Sequence, residues 1–383
     1  MKVVIFHPYL APYRIDFFNA LSEYFELKVF FAFENDPLQN FDLSKLSDRI
    51  KFDYGYNKRG EKLFRNFYRL NRQLRFGLHN IVKKEHPNVV VSHEFGFISL
   101  YLLFLSQFSA SEFRLYITTD DSPDVFRNSS LLRKLAIRFV SRRVSGLIFS
   151  STATKDLYLS KYPLRSSMVS VMPIIPNEQY FRLELLRSLD LTKKSARNLG
   201  LNGKKVLLFV GRIVKEKGVD LLIEAFSKLG YEDYALIIVG SNQGNFGSVR
   251  DSYIEIDNYR SIRNLFFVGR HDGQELISYY NLGGCFVLPS IYEPFGAVVA
   301  EALISGLHVV CSKYVGAATL INEFNGRLFD PTDAGSFESL LEDIYQSIEP
   351  LNIEAISVKE SRLSVSFKDS VSHFVSFIKL LDC

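Results

Sequence analysis

The run Cys285-Phe286-Val287-Leu288, cut off by Pro289 and followed by Ala297-Val298-Val299-Ala300-Glu301-Ala302-Leu303, constrains this chain more than any other stretch. Four consecutive apolar residues read as a short buried strand. Pro289, Pro294 and Gly296 force a loop, and the pattern after Gly296 reads as a helix closed by Gly306. The same alternation opens the chain. Lys2 to Phe6 reads as a strand, Arg14 to Tyr24 as a helix with Phe17, Phe18, Leu21 and Phe25 on one stripe, and Leu27 to Phe33 as a second strand. Strand, helix and strand in such quick succession predict a βαβ unit and a parallel sheet.

The length of 383 residues suits two domains, each able to bury a core. With 47% hydrophobic and 23% charged residues, the composition is that of a soluble globular protein. Three cysteines, Cys285, Cys311 and Cys383, have no paired spacing and no companion histidines, which argues against a disulfide framework and against zinc and for a reducing compartment. Met1 to Phe6 is too short for a signal peptide. The longest uncharged apolar stretch, Phe95 to Ser111, falls short of the ~20 residues of a spanning helix and is expected to be a buried helix. Residues 1–175 carry 25 Lys+Arg against 16 Asp+Glu, whereas residues 176–383 carry 21 against 26. The first half is therefore the one suited to an anionic partner or surface.

The loop at Gly296 has a definite chemistry. A helix starting there offers the N–H groups of Gly296, Ala297 and Val298 to an anion, and Gly296 lets a phosphate approach the backbone. Glu293 precedes this site and Glu301 lies about 7 Å further along the helix at ~1.5 Å per residue. Carboxylates accept hydrogen bonds from sugar hydroxyls and are poor phosphate ligands. A phosphate with a sugar on either side, a nucleotide sugar, fits that pattern.

Glu293-Pro-Phe-Gly-Ala-Val-Val-Ala-Glu301, with Pro289-Ser290 before it, resembles the E-x7-E motif of retaining GT-B glycosyltransferases, specifically glycosyltransferase family 4. The resemblance implies that Glu293 holds the transferred sugar, Glu301 the ribose, and Phe295 to Val298 the donor. Val206 to Val210 reads as a strand ending in Gly211-Arg212, and the continuation to Lys217-Gly218 is similar to the family's donor-phosphate motif. Arg212 and Lys217 can be aimed at the negative charge that grows on a departing diphosphate. The turn at Gly269-Arg270 and the helix Gln274 to Tyr280, which carries Leu276, would cradle the nucleotide base. Gly240, Gly244 and Gly247 do not have the spacing of a dinucleotide fingerprint.

The first half matches the family in architecture only. Its first loop, His7 to Arg14, holds two prolines and an aromatic pair where the family has glycines. It is read as part of an acceptor pocket with Tyr13, Arg14 and His93, Arg14 being available to an acceptor phosphate. Related enzymes often place a His-Asp pair after the strand Arg114 to Thr118; here Thr119-Asp120-Asp121 follows it. Asp120 is the candidate to meet the acceptor hydroxyl, the alternative being a turn or helix cap. Asp120-Asp121 is not a D-x-D metal signature.

The expected fold is α/β, GT-B, with two Rossmann-like doubly wound domains facing across a cleft. Their bounds are 1–174 and 175–366, with a C-terminal helix, 367–383, packing back on the first. The expected activity is retaining, metal-independent hexosyl transfer without a cofactor, from a UDP- or GDP-sugar to a lipid-linked or oligosaccharide acceptor in envelope polysaccharide assembly. Two basic stretches, 57–84 and 130–145, read as amphipathic helices whose cationic faces hold the first domain at an anionic membrane surface without insertion. A nucleic-acid reading of the same residues is set aside in favour of the membrane. The expected place is the cytoplasm, peripheral on the inner face of the cell membrane. A nucleotide-sugar epimerase and a non-catalytic sugar-nucleotide-binding protein remain as rival readings.

Overall fold

The computed structural model describes residues 1–8, 10, 12–31, 45–54, 77–108, 112–241 and 254–379. It divides into two compact units, Met1–Ile174 with Lys368–Cys383, and Ile175–Phe367. Most of the basic stretch 57–84, and Gly244 and Gly247, lie outside the described residues.

The first unit runs β1 (Lys2–His7), α1 (Pro12–Leu21), β2 (Glu26–Phe31), β3 (Lys51–Tyr54), α2 (Leu78–Glu85), β4 (Val89–His93), α3 (Phe97–Phe108), β5 (Arg114–Thr119), α4 (Pro123–Arg127), α5 (Leu131–Ser141), β6 (Gly146–Phe149), α6 (Thr152–Lys161) and β7 (Val169–Val171). Its seven strands lie in the order β3-β2-β1-β4-β5-β6-β7, and every pair is parallel. Parallel strands buried on both faces need continuous apolar runs, and Val3-Val4-Ile5-Phe6 and Val89-Val90-Val91 supply them.

The second unit contains α7 (Glu178–Arg187), α8 (Leu189–Asn198), β8 (Lys205–Val210), α9 (Val219–Leu229), β9 (Tyr234–Val239), β10 (Leu265–Gly269), α10 (Gly273–Tyr280), β11 (Cys285–Leu288), α11 (Val298–Ile304), β12 (His308–Ser312), β13 (Gly326–Phe329) and α12 (Ala334–Ser347). The order is β10-β9-β8-β11-β12-β13, again wholly parallel. The last helix, α13 (Phe367–Lys379), packs on the first unit. Phe374 meets Phe17 edge-on at 5.0 Å, and Arg114 donates to the Ile378 carbonyl at 3.1 Å. In each sheet the strand order reverses once, between β1 and β4 and between β8 and β11. Ligands of open α/β sheets bind beyond the carboxyl ends of the strands at such a point.

Two expectations about the first unit are corrected. The stretch Phe95 to Ser111 is not a buried helix: α3 buries Leu102, Leu103 and Leu105 but exposes Phe97, Tyr101, Phe104 and Phe108. In the stretch 130–145 the cations do not all lie on an outer face: Arg138, Arg142 and Arg143 are exposed, but Arg133 is turned inward. Arg133 donates to both Asp121 oxygens and to Glu94 at 2.8–3.0 Å. Arg133, Ile137 and Val140 recur at helical spacing, so that ion pair fixes the inward face. Leu131, Leu132, Leu135 and Phe139 are thereby turned out to solvent. No helix among the described residues is long and apolar enough to cross a membrane.

Candidate functional site

In the second unit the chain leaves β8 at Gly211-Arg212 and makes a 3₁₀ turn at Lys215–Lys217. The loop after β11 comes to the same place. The Glu216 carbonyl accepts from the Ile291 N–H at 2.9 Å and the Tyr292 N–H at 3.3 Å. Gly218, at φ 65°, lies so close to Pro289 that a Cβ would stand 2.2 Å from its carbonyl oxygen. Only glycine tolerates both the φ and the approach. These contacts set Lys217 against Glu293: Nζ donates to Oε2 at 2.6 Å, with the side chains only 10% and 17% exposed. The Glu293 side chain in turn lies against Gly296, whose φ of 88° carries the chain into α11. Lys217, Glu293 and Gly296, far apart in sequence, are therefore neighbours.

Arg212 is half-buried in the same turn, 3.8 Å from the Glu216 carboxylate. Glu301, on the first turns of α11, accepts a 2.7 Å hydrogen bond from the Tyr280 hydroxyl. Burial raises the Glu301 carboxyl above its ordinary value, and the tyrosine only partly offsets this. Phe295 is buried, and its carbonyl accepts from the Ala317 N–H at 2.7 Å, anchoring the loop. Gly269 and Arg270, immediately after β10, line a hollow of about 320 Å³ with Ile213, Gly240, Ser241 and Phe267. That hollow opens at the carboxyl ends of β8, β9 and β10. Leu276 is half-buried on α10. Next to it the sequence reading missed His271, which bonds the Val268 carbonyl at 3.0 Å and Glu275 at 2.9 Å.

In the first unit, Tyr13, Arg14, His93 and Asp120 also come together. Arg14 donates to both Asp120 oxygens at 2.6 and 2.8 Å and is almost fully buried. The Arg14 guanidinium, expected to await an acceptor phosphate, is thus already bound to a carboxylate. Burial pushes the Asp120 carboxyl up, but Arg14 and His93 outweigh it and hold it below the usual range. His93 bonds Thr118 Oγ1 at 3.2 Å, and its ring lies 4.5 Å from that of His7. Burial lowers the His93 pKa, with the nearby Arg14 acting in the same direction and Asp120 opposing it. Tyr13 stacks by Arg14, the guanidinium carbon 5.7 Å from the ring centre. Ser122, not Asp120, caps α4.

Three further residues join this cluster that sequence reasoning did not select: Glu94, Asp121 and Arg133. Glu94 has a left-handed backbone, φ 63°, a strained state for a residue with a Cβ. Its carboxylate accepts from the Thr119 hydroxyl and the Asp120 N–H at 3.0–3.2 Å. Burial raises the Glu94 carboxyl despite Arg133. Burial and the neighbouring Glu94 push Asp121 up to about 6, again against Arg133. A folded-state value above the ordinary 3.8 means the folded chain keeps a proton that the unfolded chain has lost, so stability falls as pH rises between these values. The Asp121→Asn variant lacks this penalty. Relative to it, the wild type is expected to lose about 2 kcal/mol from pH 4 to pH 7, measured by unfolding across that range. A constant difference would show that Asp121 is ionised throughout.

Residues 192–352, within the second unit, match the family Glycosyl transferases group 1. The resemblance to GT-B glycosyltransferases read in the sequence is shown at that level. An uncharacterized glycosyltransferase of Methanocaldococcus jannaschii is 36% identical over 134 residues, which are 34% of this chain and 33% of that protein. An uncharacterized 41.2 kDa protein in the cps region of Klebsiella pneumoniae is 28% identical over 155 residues, 40% of each. The matches thus span less than half the length of these relatives. The solved structure of Anabaena HepE in complex with UDP-glucose superposes with a TM-score of 0.66 at 16% identity, covering 100% of this chain and 94% of that one, and so shares the two-sheet fold.

Proposed function

We propose that this chain is a retaining glycosyltransferase that moves a sugar from a UDP- or GDP-sugar to a lipid-linked or oligosaccharide acceptor in envelope polysaccharide assembly. One observation carries the reading: the 2.6 Å pair between Lys217 and Glu293 beside Gly296. It sets a cation and a sugar-binding carboxylate within one ligand's reach, at the reversal of strand order. The UDP-glucose held by HepE and the cps region of the Klebsiella relative support the donor and the pathway class. The turn of Arg270 and the adjacent hollow take the base. Glu301, already holding the Tyr280 hydroxyl, takes the ribose hydroxyls by the same kind of bond.

In the reaction, Arg212, Lys217 and the amides of Gly296 to Val298 stabilise the departing diphosphate. The bond from the anomeric carbon to the phosphate oxygen breaks, and its electron pair stays on that oxygen. The acceptor hydroxyl attacks from the same face and passes its proton to the diphosphate. The side-chain cations supply the charge a metal would otherwise bring, so the step is metal-independent. The acceptor side falls to the Tyr13, Arg14, His93 and Asp120 cluster, and the exposed Arg138, Arg142 and Arg143 face an anionic membrane at the inner surface of the cell. The test is a thermal-stability screen of nucleotides and nucleotide sugars. One UDP- or GDP-sugar, at ~100 times its dissociation constant, should add about 2.7 kcal/mol to the second unit. Indifference to every nucleotide would end the proposal.

A further inference from the structure

Helices α3 and α5 pack side by side over one core, burying Leu102, Leu103, Leu105, Ile137 and Val140 beneath them. Their outer sides therefore face the same way, and both are apolar. On α3, Phe97, Tyr101, Phe104 and Phe108 recur at helical spacing and are 37–77% exposed, with Phe104 and Phe108 in ring contact at 5.0 Å. On α5, Leu131, Leu132, Leu135 and Phe139 are 50–79% exposed. Single exposed apolar residues need no explanation, but a contiguous patch of this kind marks a binding surface. Neither helix contains an Asp or Glu. At the C-terminal end of α5, Arg138, Arg142 and Arg143 are exposed and make no ion pair among the described residues. The Arg143 guanidinium sits 4.0 Å from the Phe139 ring centre, joining the charged rim to the apolar patch.

We infer that this face docks on, and shallowly inserts into, an anionic phospholipid bilayer, the rings and leucines entering below the headgroups and the arginines remaining among the phosphates. This deepens the membrane reading given above, which invoked cations alone and no insertion. Charge complementarity selects the occupant. Aromatic and leucine side chains gain by leaving water, while arginines lay their stems on an apolar surface and keep the guanidinium at the polar layer. A two-fold contact with a second copy would cover the rings and leucines but would bring no anion to the arginines, since neither helix carries an Asp or Glu.

The test is flotation with vesicles of phosphatidylcholine, with and without phosphatidylglycerol. The wild type is expected to float only with the anionic vesicles, less so in high salt. Phe104→Ser with Leu135→Ser should weaken partitioning about tenfold or more without lowering the melting temperature, both sites being half exposed or more. Arg138→Gln with Arg142→Gln and Arg143→Gln should weaken it on the order of a hundredfold at low salt. Wild type that never floats, or serine variants that float like wild type, would overturn the inference. So would a concentration-dependent dimer that the serine variants abolish in place of vesicle binding. The nucleotide response of the second unit, read on the same samples, tells a failure of docking from a failure of the donor reading.

Discussion

Replacing Lys217 with alanine is expected to slow sugar transfer by about 10²–10³-fold, the loss seen when one preorganised donor to a developing anion is removed. The side chain is nearly buried and is held by the Glu293 carboxylate at 2.6 Å, so its ammonium is in place before the donor arrives. The pair also has a structural side: its removal leaves Glu293, 17% exposed, without its cation. Removing one member of a buried pair costs as much as 3–5 kcal/mol, with less expected where water reaches the group. Glu293→Gln separates the two effects, because it keeps the shape and a hydrogen-bond acceptor for Lys217. That variant should bind UDP or GDP as the wild type does but lose the preference for the nucleotide sugar over the nucleotide, and lose transfer. Nucleotide affinity, transfer rate and melting temperature are the readouts. A folded Lys217→Ala protein that still transfers sugar within about threefold of the wild type would remove this residue from the chemistry.

The features legible in the sequence are those written over a few consecutive residues. Cys285–Leu288 and Val219–Leu229 have the bounds their patterns suggest, because Pro289 and the flanking Gly218 and Gly230 punctuate apolar runs. The edge strand Lys51–Tyr54 was missed, being short and half polar. So were α7 and α8, polar helices that open the second unit, although Asn177 accepts from the N–H groups of Gln179 and Tyr180 as a helix cap does. Helix α3 was misjudged for a different reason. A segment apolar all round reads as buried, and nothing within residues 95–111 tells which side meets the sheet. The donor-side residues were found through a local motif, but the Lys217–Glu293 contact spans 76 positions and belongs to the fold. In the first unit no such motif exists. Glu94 and Arg133 are 39 positions apart, and only the turn of α5 that their contact imposes reveals either residue's role.

The Arg14–Asp120 pair calls for the largest stability effect in the first unit. Arg14 is 7% exposed and donates to both Asp120 oxygens, at 2.6 and 2.8 Å. Asp120→Ala would leave a guanidinium in a low-dielectric site beside His93, at a cost of about 3–5 kcal/mol, or a melting temperature about 10 °C lower. Because the Asp120 carboxyl is held below the usual range, its contribution is present at neutral pH and lost as pH falls through the folded-state value. The gap between variant and wild type should therefore narrow in acid. Replacing both partners with apolar residues of similar size, Arg14→Met with Asp120→Leu, should recover most of the loss, since no charge is then stranded. The double variant also decides what Asp120 is for. If it were folded yet unable to transfer sugar, while its second unit still answered to nucleotide, the carboxylate or its arginine would act on the acceptor. If transfer persisted, the pair would serve to hold the loop after β1 against the end of β5, and the acceptor hydroxyl would find its contacts elsewhere, with Glu94 the nearest partly exposed carboxylate of that cluster.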